Sequence, residues 1–203
     1  MEITSKAAKE IDFRDLAGVG QGIRRAMADD IRMNVAEMPT TPFYQQEAAA
    51  GYPFEALDTK AIVEVVRPAV DAWFNDDKNT ERTAQRFRIG NKDSLVLVSW
   101  CVIRTKAAKM PKQITGGLFN NEHEIAVFIA LGDWKESNGI FAVQQWSQQG
   151  ESRRGSEERP LAYIELKSGE DVSVNGADTL FFSGRPGGLA LMLRLRFPFG
   201  ESQ

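Results

Sequence analysis

The residues best suited to acid–base or metal chemistry are Glu122, His123 and Glu124, which stand together before a predicted strand and include the only histidine of the 203 residues. Imidazole titrates near neutral pH and is a common metal ligand. One histidine cannot supply the two or three imidazoles of the usual zinc or iron sites within one subunit. We therefore predict no metal site and interpret His123 as a partly exposed residue at a strand end. A site shared between subunits is the alternative.

Carboxylates offer a second route to catalysis. Glycosidases use two acidic side chains, one protonated and one ionised, that face each other across the sugar. The acidic residues that could take these roles are Glu122, Glu124, Asp133 and Glu165. A serine hydrolase is disfavoured, because His123 is the only available base and no Gly-x-Ser-x-Gly motif supplies a nucleophile.

Three tryptophans fall in the second half of the chain, where aromatic rings could stack on sugars or bases. Trp100 lies in the most apolar run and is expected in the core. Trp134 follows a Gly-Asp pair at a predicted strand end and is expected to be exposed, with Trp146 and Gln144 nearby. These last three residues form the predicted ligand-binding site, and burial in the core is the alternative.

Glycine-rich sequence precedes the first predicted helix, with Gly18, Gly20 and Gly22 followed by Arg24 and Arg25. Glycine amides at a helix N-terminus attract anions. The spacing matches neither the dinucleotide-binding fingerprint nor the P-loop. We favour an ordinary helix entry or hinge over an anion site.

Composition excludes several classes of protein. The chain has 25 basic and 28 acidic residues and a net charge of −3, without the basic patch that phosphate-driven nucleic-acid binding needs. Its single cysteine, Cys101, lies in an apolar run and fits a small buried hydrophobe. The first residues have no apolar signal-peptide core, and no run approaches a membrane span. We expect synthesis in the cytoplasm, with incorporation into a virion as an option, and no membrane insertion.

Helical spacing dominates the first part of the chain. An apolar stripe predicts a helix from near Gln21 to before Pro39. Prolines and aromatics in residues 39–57 favour an extended arm. A second helix is predicted from residue 58 or 59 to residues 75–77, with a kink or restart at Pro68.

Strand-like alternation dominates after Gly90. We predict a hairpin from residues 86–89 and 95–103, although residues 82–89 fit helix or strand equally. Further strands are predicted within residues 125–131, 141–146, 161–166, 172–174, 180–182 and 189–197. The pattern predicts an α+β fold, in which N-terminal helices and an extended arm (residues 1–81) pack with a C-terminal antiparallel β-sandwich or jelly roll (residues 82–203).

The architecture and the absence of a catalytic motif favour a non-enzymatic structural assembly protein, such as a viral or phage coat, decoration or connector protein, without a cofactor. A homo-oligomer is expected, and its predicted interface residues are Phe43, Tyr44, Arg194, Arg196 and Phe199. A carbohydrate- or protein-binding β-sandwich module is the alternative, and a carboxylate-dependent glycoside hydrolase is the third possibility.

Overall fold

The computed structural model of the chain describes residues 19–42, 53–57, 59–108, 112–114, 119, 121, 123–138, 141–144 and 162–198. These residues form a mixed fold of helices and antiparallel sheets in which strands predominate. None of the helices in these ranges is long and apolar enough to cross a membrane.

Three α-helices precede most of the strands. They are α1 (Arg25–Val35), α2 (Thr59–Phe74) and α3 (Asp77–Arg86), and short 3-10 turns follow at Lys92–Ser94 and Glu136–Asn138. The side chain of Asp76 caps α3 by accepting a hydrogen bond from the backbone N–H of Lys78 at 2.9 Å. The two predicted helices are confirmed as α1 and α2, and α2 continues through Pro68 without a restart.

Eleven strands are described. They are β1 (Val19–Gln21), β2 (Thr40–Pro42), β3 (Phe54–Leu57), β4 (Val96–Thr105), β5 (Lys112–Ile114), β6 (Glu124–Ala130), β7 (Phe141–Gln144), β8 (Ala162–Tyr163), β9 (Glu170–Asn175), β10 (Thr179–Phe182) and β11 (Leu189–Arg196). The larger sheet has the order β1-β9-β6-β11-β4-β3-β2 and the smaller sheet the order β5-β10-β7-β8.

From β4 onward the chain passes from one sheet to the other at almost every step. Strands β4, β6, β9 and β11 belong to the larger sheet, and β5, β7, β8 and β10 belong to the smaller one. Sequence neighbours therefore rarely pair with each other, and the strongest pairings, such as β11 with β4 and with β6, join distant segments. This arrangement is compatible with a β-sandwich or jelly roll.

Two apolar layers share the larger sheet, because successive side chains of a strand point to opposite faces. One layer lies between the sheet and the helices and includes Ile31, Trp73 and Ile129. The other lies between the two sheets and includes Phe128, Phe182 and Met192. The central strand β6 is thus covered on both faces, which explains why it is buried at every position.

The first strand of the predicted hairpin does not form, because Arg86 ends helix α3 and residues 87–89 follow it without pairing with β4. The helical alternative for residues 82–89 is therefore correct through Arg86. The start of α3 at Asp77 was missed since the buried face of this helix is largely polar: Asn79, Thr80 and Thr83 are buried beside Ala84. Strands β1 and β5 were also missed, and each has only three residues. The later predicted strands are confirmed within a few residues.

The proposed boundary between residues 81 and 82 stays a prediction. Within the described ranges, strands from both sides of it join one sheet, since β3 pairs with β4 and β1 pairs with β9. Both apolar layers also contain residues from each side of the boundary.

Candidate functional site

A buried carboxylate at the start of β6 organises the polar groups between the two sheets. The side chain of Glu124 has no exposed surface, and Arg194 and Arg196 of the adjacent strand β11 both bind it. Arg194 donates to Oε2 from Nε at 2.7 Å and from Nη2 at 2.6 Å. Arg196 donates to Oε1 from Nε at 3.1 Å and from Nη2 at 2.6 Å. Both carboxylate oxygens therefore have guanidinium partners.

The register of the sheet produces this cluster. Arg196 lies opposite Glu124 and Arg194 lies opposite Ala126, so all four side chains share the face that points toward the smaller sheet. The Arg194 guanidinium also lies over the Phe119 ring, 4.6 Å from its centroid. The exposed fraction is 25% for the Arg194 side chain and 55% for that of Arg196, so the cluster runs from the interior to the surface.

His123 lies at the edge of this cluster, in the turn before β6. Its backbone N–H donates to Asn121 Oδ1 at 3.0 Å, and its backbone carbonyl accepts from the N–H of Phe197 at 3.1 Å. The imidazole meets the Phe197 ring edge-on, with 5.6 Å between the ring centroids. The expected half-buried position at a strand end is confirmed.

A second buried carboxylate, Asp171 of β9, faces the helices. Trp73 Nε1 of α2 donates to Asp171 Oδ2 at 2.5 Å. Arg82 Nη2 of α3 donates to Oδ1 at 2.6 Å and to Oδ2 at 2.7 Å, and the Gly20 backbone N–H also donates to the carboxylate. Burial raises the pKa of Asp171, and Arg82 and the hydrogen bonds act in the opposite direction. Asp171 thus connects two helices, β1 and β9.

The glycine-rich segment makes room for this second cluster. A Cβ atom at Gly20 would overlap the Arg82 guanidinium, and one at Gly22 would come within 2.8 Å of Asp171 Cβ. Gly18 lies outside the described residues. Gly20 and Gly22 therefore pack against a carboxylate of the same chain, and the predicted helix entry begins with strand β1.

The tryptophan prediction is wrong about exposure. Trp134 is 1% exposed and packs between the sheets against Phe128, with ring centroids 5.8 Å apart. A backbone pairing with Leu166 holds it there. Trp146 and the side chain of Gln144 lie outside the described residues. Ligand binding at these three residues stays a prediction, and a stacking role for Trp134 would require its ring to be uncovered.

Of the carboxylates predicted for glycoside hydrolysis, Glu124 and Asp133 lie too far apart to form a catalytic pair. Glu124 is bound by two arginines, and Asp133 lies beyond the other end of β6. The seven residues of β6 separate them by roughly 20 Å, well beyond the roughly 5–10 Å that glycosidases use. Glu165 is exposed, and Glu122 lies outside the described residues.

The predicted interface arginines bind an acid of their own chain. Arg194 and Arg196 had been assigned to solvent or to a neighbour's acids, but the register places them on Glu124. Phe43, Tyr44 and Phe199 lie outside the described residues. The homo-oligomer and the cytoplasmic origin stay predictions.

Cys101 lies on β4 beside the inter-sheet layer, opposite Met192. Burial raises the pKa of its thiol to about 12. The metal-free thiol is therefore protonated at neutral pH, as expected for a small buried hydrophobe.

No family model matches the sequence, and no curated protein matches it. Solved structures do match the fold. One is the non-heme alpha ketoglutarate dependent epimerase SnoN from nogalamycin biosynthesis, with a TM-score of 0.60, 12% identity, and coverage of 91% of this chain and 78% of SnoN.

Two further matches are similar in extent. HygX from Streptomyces hygroscopicus, solved with nickel and 2-oxoglutarate bound, has a TM-score of 0.57, 15% identity, and coverage of 92% of this chain and 85% of HygX. An oxidoreductase of the 2OG-Fe(II) oxygenase family from Burkholderia pseudomallei has a TM-score of 0.53, 13% identity, and coverage of 93% and 91%. At these identities the likeness concerns the fold.

These matches correct the functional prediction. The sequence pattern favoured a structural assembly protein of the virion or capsid kind, with binding modules and glycosidases as alternatives, yet the proteins that share the fold are oxygenases and epimerases. The error has a simple origin. Short strands with alternating apolar and polar residues predict a two-sheet architecture. Coat proteins, lectins and enzymes all have such architectures, so the pattern does not distinguish between them.

An iron centre is the group that these enzymes imply. Non-haem Fe(II) oxygenases hold iron with two histidines and one carboxylate, and this chain has one histidine. Two carboxylates flank it in sequence, of which Glu124 is bound by two arginines and Glu122 lies outside the described residues. Among the described residues, no three His, Cys, Asp or Glu side chains lie close enough to hold a metal ion. The chain therefore has the fold of 2-oxoglutarate- and iron-dependent enzymes, while one copy does not contain their two-histidine ligand set.

Proposed function

We propose that this chain is an enzyme that acts on a small organic molecule, built on the jelly roll of 2-oxoglutarate- and iron-dependent oxygenases and epimerases. The observation that carries the proposal is the likeness of the fold to solved oxygenases and epimerases, with TM-scores of 0.53–0.60. The likeness to solved enzymes extends over 91–93% of the chain, helices included. In this proposal the N-terminal helices and arm are part of the enzyme fold.

The space between the sheets is the proposed site. Small-molecule sites combine mostly apolar walls with a few polar groups that fix orientation, and barrel mouths are frequent locations. The layer between the sheets is apolar, with Phe128, Phe182 and Met192 buried in it. The Glu124 cluster supplies polar groups at one end, where the half-exposed Arg196 meets solvent. Two arginines against one glutamate leave a net positive charge, which favours an anionic group on the ligand.

A pair of matched variants tests the location. Ala126 lies between the sheets and Ala28 lies between α1 and the larger sheet, and both are fully buried. Leucine at either position overpacks a core at a cost of about 1–3 kcal/mol. Only Ala126→Leu intrudes on the proposed site.

The experiment incubates the wild type and both variants with a panel of small organic acids, sugars and aromatic metabolites. Mass spectrometry detects conversion, and thermal shift detects binding. At 100 times its Kd, a ligand stabilises the folded state by about 2.7 kcal/mol. We expect at least one compound to be bound and converted, and Ala126→Leu to lose both effects while Ala28→Leu keeps them. No conversion of any compound, or equal loss in both variants, would contradict the proposal.

A further inference from the structure

We propose that one copy of this chain cannot assemble the iron centre of the enzymes that share its fold, and so cannot couple 2-oxoglutarate to oxidation by itself. The inference rests on the proposed function, since it concerns how an enzyme of this fold works. Three independent observations carry it: the histidine count, the charge around Glu124, and the position of the remaining buried donors.

The histidine count applies to all 203 residues, including those that the structure does not describe, because it is read from the sequence. A centre of two histidines and one carboxylate needs two imidazoles. A single copy can contribute only His123. Any such centre would therefore need a second copy of the chain or another protein.

Charge around Glu124 opposes a cation there. Each oxygen of this carboxylate accepts from a guanidinium at 2.6 Å. A metal ion approaching Glu124 would have to displace at least one arginine and remain near two positive charges. Arg194 is additionally held by Phe119, over whose ring its guanidinium lies. The one carboxylate adjacent to His123 in sequence that the structure describes is thus part of an ion-pair network.

The remaining buried carboxylates that the structure describes are Asp171 and Asp178. Asp178 accepts a hydrogen bond from the backbone N–H of Asn175 at 2.9 Å. Asp171 points to the helices, away from the inter-sheet space, and binds Arg82 and Trp73. Cys101 borders the inter-sheet space on β4, opposite Met192. Among the residues that the structure describes, no three His, Cys, Asp or Glu side chains lie close enough together to hold a metal ion, so none of these three side chains completes a centre with His123.

Titration calorimetry with Ni(II), a redox-stable substitute for Fe(II), tests the inference on the full chain. Ni(II) is titrated alone and with 2-oxoglutarate, and elemental analysis measures the metal retained after desalting. We expect no saturable binding and substoichiometric retention, equal in the wild type, His123→Ala and His123→Asn. Two substitutions are used so that misfolding of one does not remove the comparison, and circular dichroism checks each fold.

Saturable binding of one metal per chain that both His123 variants lose would overturn the inference. Binding of one metal per two chains that both variants lose would agree with it, because each copy would then supply one imidazole. The ratio of one per two chains would assign the centre to a shared site. Either result would leave the proposed enzyme function standing. Conversely, an iron-free chain that converts no compound in the metabolite panel would contradict the proposed function and agree with the present inference.

Discussion

Glu124 and Asp171 are both fully buried carboxylates that bind arginine, and the comparison between them separates two regions of the molecule. Glu124 joins two adjacent strands, β6 and β11, on the inter-sheet side, through arginines that are 25% and 55% exposed. Asp171 joins the edge of the larger sheet to α2 and α3, through Trp73 and Arg82. The first cluster reaches solvent at the end of the proposed site, whereas the second fastens the helical layer.

The difference indicates where the chain tolerates change. Loss of Glu124 leaves arginines that can turn toward water, because Arg196 is already half-exposed. Loss of Asp171 removes the hydrogen-bond acceptor of the fully buried Trp73 indole N–H. It also removes the carboxylate partner of the Arg82 guanidinium, which packs over Gly20. We therefore expect the helix-side cluster to dominate stability and the inter-sheet cluster to shape the proposed site.

The largest expected effect is that of Asp171→Ala. Removal of one member of a buried ion pair costs about 3–5 kcal/mol, because the partner is left uncompensated. Urea denaturation measures the free energy of unfolding. Asp71→Ala is the matched control, since Asp71 forms only an exposed pair with Arg67 and should cost at most about 1 kcal/mol. Equal losses at the two positions would contradict the role given to Asp171.

The two arginines of the inter-sheet cluster should differ from each other. Arg194→Ala removes a mostly buried partner of Glu124 and the contact with Phe119, and should cost about 1.5–3 kcal/mol. Arg196→Ala removes a half-exposed partner and should cost about 0.2–1 kcal/mol. Denaturation of both variants side by side measures the two losses of stability. A larger loss for Arg196→Ala would show that the exposed fraction of an arginine does not determine how much its ion pair contributes.

Gly20→Ala sharpens the account of the helix-side cluster. The new methyl group would overlap the Arg82 guanidinium and force it off Asp171, at a cost of about 1–3 kcal/mol. Gly90→Ala is the control, because a Cβ there meets nothing within 4 Å. Thermal unfolding of both variants gives the result. An unchanged melting temperature for Gly20→Ala would mean that the stability of the fold does not depend on the position of the Arg82 guanidinium over β1.

The smallest expected effect is a dependence on pH. Since the folded-state pKa of Asp171 is raised above its ordinary 3.8, the folded chain holds this proton more tightly than the unfolded chain. The contribution of Asp171 to stability therefore falls as pH rises from about 3.8 to the folded-state pKa and is constant above it. Asp171→Asn should remove this slope. Denaturation of the wild type and the variant is measured across that pH range. The free energy of unfolding of the wild type should fall relative to that of the variant as pH rises. A relative rise would mean that Arg82 lowers the folded-state pKa of Asp171 by more than burial raises it.

Sequence periodicity predicted most of the fold but little of the candidate site. The apolar stripe found α1, and alternation found β6 and β11, because those elements bury apolar faces. Helix α3 was missed because Asn79 and Thr83 face a polar part of the sheet, where Thr83 meets Ser173. In the sequence Asp171 looks like an ordinary exposed position of β9, and contacts with α2, α3 and β1 bury it.

The Glu124 cluster was missed for a different reason. Arg194 and Arg196 alternate with leucines and look like a solvated strand face, since nothing in their spacing reveals that β6 places a carboxylate opposite them. Strand pairing between distant segments decides such contacts. The single histidine was visible in the sequence without a structure. Its consequence for a metal centre became clear only when the fold matched solved structures of iron-dependent enzymes.

The most direct test of the central claim is the consumption of 2-oxoglutarate by the purified chain with Fe(II), ascorbate and air, followed by NMR. The account predicts the same rate as buffer with iron alone, for the wild type and for His123→Ala. Consumption that requires both protein and iron, and that His123→Ala abolishes, would contradict the claim that one copy of this chain has the fold of these enzymes without their metal centre.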